Sequence, residues 1–119
     1  MSTALSDYLE SGLLHHIFRG SSFPKPSEIA IALCSGAPLD SDTGFTIPEL
    51  PTGINGSGTG YARIDLGDPS TQGDTTWVYS QQDHIHGSGL IKNSGSLVFE
   101  KALIDWGFVS GIAITDDSR

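Results

Sequence analysis

Cysteine, basic residues and long apolar runs are all scarce in this chain of 119 residues, and each scarcity closes off a class of function. Cys34 is the one cysteine, so no intrachain disulfide can form and no cysteine-based metal cluster is available. It ends the apolar run Ile29–Cys34 (IAIALC), where a free thiol behaves as a small buried hydrophobe. Lysine and arginine number 6 against 14 aspartates and glutamates, for a formal net charge of −8. Nucleic-acid binding needs clustered cations to neutralise phosphates, so no nucleic-acid partner is expected. An acidic balance suits a soluble surface or a partner with a basic patch. No apolar stretch approaches the ~20 residues that span a bilayer, so no membrane partner is expected either. The opening Met1–Gly12 (MSTALSDYLESG) carries an early acidic pair where a secretory signal has a basic segment and an apolar core. A reducing, soluble compartment is the expectation.

Glycine (15) and proline (6) are plentiful and fall between the apolar segments, which favours short strands joined by turns over a helical bundle. The expected fold is mainly β with an N-terminal α-helix: a small β-sandwich or barrel-like single domain over residues 1–119. The helix is predicted over 6–19. Leu5, Leu9, Leu13 and Ile17 recur every four residues, with Leu14 and Phe18 widening the stripe. Ser6 or Asp7 can cap its start, and Gly20 is a natural stop. Gly12 weakens the middle by about 1 kcal/mol relative to alanine, which points to a close packing contact there. The β-rich body is predicted over 28–115. Its strands are Glu28–Cys34, the alternating Tyr61–Leu66 (YARIDL) and Thr75–Tyr79 (TTWVY), then a turn at Gly87–Leu90. A long loop, 35–60, joins the first two. Connections of that length are more often functional than idle. The last third, Asn93–Ile114, concentrates Leu97, Val98, Phe99, Leu103, Ile104, Trp106, Phe108, Val109, Ile112 and Ile114. It reads as the core, with Phe99 and Trp106 on neighbouring strands joined by a turn at Glu100–Leu103.

No chemistry stands out. His84 and His86 share one side of a regular strand, as paired metal ligands do, but no third ligand lies at a convincing spacing. They read as surface or interface histidines. His15 and His16 are about 100° apart on a helix, so one is expected to border the core and the other to face solvent. Asp40–Gly44 (DSDTG) opens like a calcium loop, yet the twelfth position is Pro51 where a glutamate is required. It reads as a solvated acidic turn. Gly56–Gly60 (GSGTG) lacks the lysine of a phosphate loop and leads into a strand, not a helix. No GxSxG is present, and Glu10, Glu28, Glu49 and Glu100 show no pairing spacing. No catalytic residue, metal or cofactor is expected.

Three blocks in order resemble a known family. They are Ala4–Gly20 (ALSDYLESGLLHHIFRG) followed by Phe23–Pro38 (FPKPSEIAIALCSGAP), then the glycine-rich turn into Gly60–Leu66 (GYARIDL), then Ile91–Ile114 (IKNSGSLVFEKALIDWGFVSGIAI). Together they are similar to small tailed-bacteriophage virion proteins of the kind labelled tail-fibre-like or phage structural protein. The resemblance implies a non-enzymatic assembly role within the virion, reached from the host cytoplasm. A chain this short suits a head decoration (cement) protein, sitting on the capsid lattice as a homotrimer against the major capsid protein. The alternative is a tail or tail-fibre component with tail proteins as partners, and a further alternative is a non-catalytic β-sandwich binding module. On the assembly reading, Phe45, Ile47, Leu50 and Ile54 stand exposed on the long loop as interface residues, joined by His84 and His86. Such proteins commonly continue beyond the Gly111–Ile114 strand with another strand, so the expectation is either a final sheet left incomplete or an edge paired by a neighbour.

Overall fold

The structure, a computed structural model, describes residues 5–51, 58–79 and 91–117. Helix α1 (Asp7–Arg19) forms where the four-residue recurrence predicts it. Ser6 is the N-cap: its backbone is extended and its hydroxyl accepts from the Leu9 amide at 3.3 Å, satisfying a donor that the first turn leaves unpaired. Gly20 ends the helix in the left-handed region (φ 66°) and donates to the His15 carbonyl. The close contact expected at Gly12 is present, and its partner is Phe23. A Cβ at position 12 would lie 2.1 Å from the Phe23 ring, which also meets Tyr8 at 5.7 Å between centroids. No residue of α1 is buried. His15 and His16 are therefore both exposed, contrary to the expectation that one borders the core. The helix meets Phe23 on its Gly12 side.

Five strands follow: β1 (Ala30–Cys34), β2 (Ile64–Asp65), β3 (Trp77–Tyr79), β4 (Ile91–Asn93) and β5 (Gly111–Thr115). Among the described residues they make two antiparallel sheets, β2-β1-β5 and β3-β4, with no closed barrel. β1 is the centre of the larger one. Ile31 pairs with Ile64 on one side and Ile114 on the other, and Leu33 pairs with Ile112. Beyond the short β2, the Glu49–Leu50 segment takes the place beside β1. Cys34 bridges Glu49, and the Leu50 amide donates to the Leu33 carbonyl at 3.1 Å.

Side chains paired across a sheet share a side, and the small-residue side of this sheet is the more deeply buried. Ala30, Ala32 and Cys34 are fully buried, with Tyr61 and Arg63 at the same phase. Cys34 is thus the buried hydrophobe its surroundings predict. The aliphatic phase faces outward along β5, where Ile112 is 62 % and Ile114 68 % exposed. In YARIDL the apolar residues were expected inside; instead Tyr61 and Arg63 are buried and Ala62 is exposed.

The last third departs from its reading as the core. Leu97, Val98, Leu103, Ile104, Phe108 and Val109 are all exposed, and residues 94–110 form no strand. Phe99 and Trp106 meet not each other's strands but one ring, Tyr61, at centroid distances of 6.1 and 5.5 Å. The segment is fastened to the Thr59–Tyr61 backbone. Trp106 Nε1 donates to the Thr59 carbonyl at 2.7 Å, and the Leu103 amide donates to the same oxygen at 3.0 Å. Gly60 allows this approach: its φ is +77°, and a Cβ there would lie 2.5 Å from the Lys101 carbonyl.

A second helix, α2 (Pro69–Thr76), occupies part of the expected strand 75–79. Asp68 stands before it with Oδ1 accepting from the Ser70 amide at 2.8 Å and its hydroxyl at 2.6 Å. An aspartate cap followed by proline at the first helical position is the local signal for this start.

Gly12→Ala tests the α1 contact. Alanine's propensity favours the helix by about 1 kcal/mol, but displacing the Phe23 ring costs about 1–3 kcal/mol as overpacking does. The expected result is a net loss of stability in chemical denaturation, which turns into a net gain in the Phe23→Ala background.

Candidate interaction surface

Arg63 organises the inner side of the sheet. It is 7 % exposed, and a buried guanidinium must satisfy five N–H donors. All five are used. Nε and Nη2 form a two-point contact with Glu49, each at 2.8 Å. Nη2 also donates to the Gly44 carbonyl at 2.7 Å, and Nη1 donates to Thr115 Oγ1 at 3.2 Å and to the Asp117 carbonyl at 2.8 Å. One side chain therefore ties the loop after β1, the strand β2 and the end of β5. Tyr61 completes the cluster: its hydroxyl donates to Glu49 Oε1 at 2.7 Å and accepts from the Leu33 amide at 3.0 Å. Hydrogen bonding to Glu49 holds the Arg63 guanidinium above its ordinary pKa despite burial. Burial first, and the hydrogen bond to Glu49 second, push the Tyr61 phenol well above its ordinary value. Every strong donor here has an acceptor inside the chain. The arrangement holds structure and leaves no group poised for proton transfer.

The acidic turn at Asp40–Gly44 is likewise self-contained. Asp42 Oδ2 accepts from the Leu39 amide at 2.7 Å and Oδ1 from the Thr46 hydroxyl at 3.2 Å. The Asp40 carbonyl accepts from the Asp7 amide at 2.8 Å, joining the turn to the start of α1. Among the described residues, no group of three histidine, cysteine or acidic side chains could hold a metal ion, and no helix is long and apolar enough to cross a membrane.

The residues expected at an interface separate. Phe45 is 78 % exposed on the Arg63-anchored loop, as expected, and Ile47 is half-buried beside it. Leu50 is 2 % exposed and belongs to the core, because its amide pairs with Leu33 and draws the side chain in. Ile54, His84 and His86 lie outside the described residues. Sequence reasoning missed the outward Ile112 and Ile114, and it missed Arg63 and its Glu49 partner 14 residues earlier. Alternation marks YARIDL as a strand but does not say which phase faces in.

Two outcomes follow from the cluster. Glu49→Gln leaves Arg63 buried without its counter-charge and is expected to cost about 3 kcal/mol, read as a lower denaturation midpoint. The folded state holds Tyr61 neutral, so its contribution to stability is complete below the ordinary phenol pKa of about 10 and is lost as pH rises past it. Alkaline unfolding monitored by phenolate absorbance should show a slope that Tyr61→Phe removes.

Residues 4–119 match the family described as podophage GP4 fiber I protein gp80. No curated protein and no solved structure matches the chain. With nearly the whole chain inside the match, the chain belongs to that family, and it is a small fibre-like structural protein of tailed-phage virions.

Proposed function

We propose that this chain is a structural component of the tail fibre of a podophage particle, working through contacts with other copies of itself and with tail proteins, without catalysis. The observation that carries the reading is the match of residues 4–119 to a fibre protein family. The surface supports it. Large apolar side chains stand out from α1, from the loop at Phe45 and from the 97–114 segment, and apolar surface on that scale marks contact with other proteins. Head decoration rests on chain length and acidity alone, and the family match favours the fibre over it.

Gold-labelled antibodies against the chain, applied to intact virions, test the assignment. Label confined to the tail is the expected outcome. Label distributed over the head lattice would overturn it and restore the decoration reading.

A further inference from the structure

We draw no further inference here: the strongest candidate, the open cleft between the end of β2 and the bend after β4, lined by Leu66, Thr76 and Asn93–Leu97, shows nothing that points to a ligand, since none of its polar side chains is buried and the Asn93 amide donates back to the Gly95 carbonyl.

Discussion

The buried Arg63–Glu49 pair is the constraint from which the rest of the structure follows. A guanidinium out of water needs five acceptors and a counter-charge, and this one draws them from two distant parts of the chain: Gly44 and Glu49 in the loop after β1, and Thr115 and Asp117 at the end of β5. To bring these two segments, 44–49 and 115–117, to one guanidinium, the loop after β1 must fold back over the sheet. The side it folds over must be lined by small residues, and Ala30, Ala32, Cys34, Gly111 and Ala113 line it. At Gly111 the fit is tight enough that a Cβ would lie 2.9 Å from the Gly36 carbonyl. Once the small phase of each strand is committed inward, alternation sends isoleucine and leucine to the other side. The outward Ile112 and Ile114 of β5 are thus a consequence of burying one arginine.

Such a pair adds little net stability over an apolar replacement, since desolvation offsets most of the attraction. What it contributes is uniqueness. Apolar contacts would let the Ser35–Leu50 segment settle in several ways, whereas the two-point Arg63–Glu49 contact and the Tyr61 hydroxyl admit one. Phe45 is held outward on a loop whose base, at Gly44, is a ligand of the guanidinium. The contact surface is therefore presented by a frame with defined geometry.

Local signals in the sequence were legible and non-local ones were not. The limits of α1 follow from Ser6 and Gly20, each acting within one turn, and even the contact at Gly12 could be read from the cost of glycine in a helix. The strands at 30–34 and 111–115 were visible as apolar runs and 64–65 as alternation. Their phase was not visible, because period 2 looks the same whichever side is buried. Arg63 reads as a solvent-facing charge until Glu49 is brought beside it, and nothing in a 14-residue separation announces that pairing. The apolar 97–114 segment was misread for a related reason. Hydrophobic composition says that a residue will leave water, not that its own chain will provide the cover. Leu50 and Phe45, both apolar and both on one loop, end on opposite sides of that distinction, according to whether a β1 backbone partner was within reach.

That distinction bears on what stability means for this chain. The buried apolar set among the described residues is small (Ala30, Ile31, Ala32, Cys34, Leu50 and Tyr61), and three of the six are alanine or cysteine. Side chains of that size bring little transfer free energy, at about 25 cal/mol per Å² of apolar surface buried. The larger apolar side chains are on α1, on the outer side of β5 and along 97–109, where the described residues leave them in water. Whatever binds the folded chain through that surface adds to its stability by mass action. A net charge of −8 makes copies of the chain repel one another at long range, which opposes non-specific association through those apolar side chains.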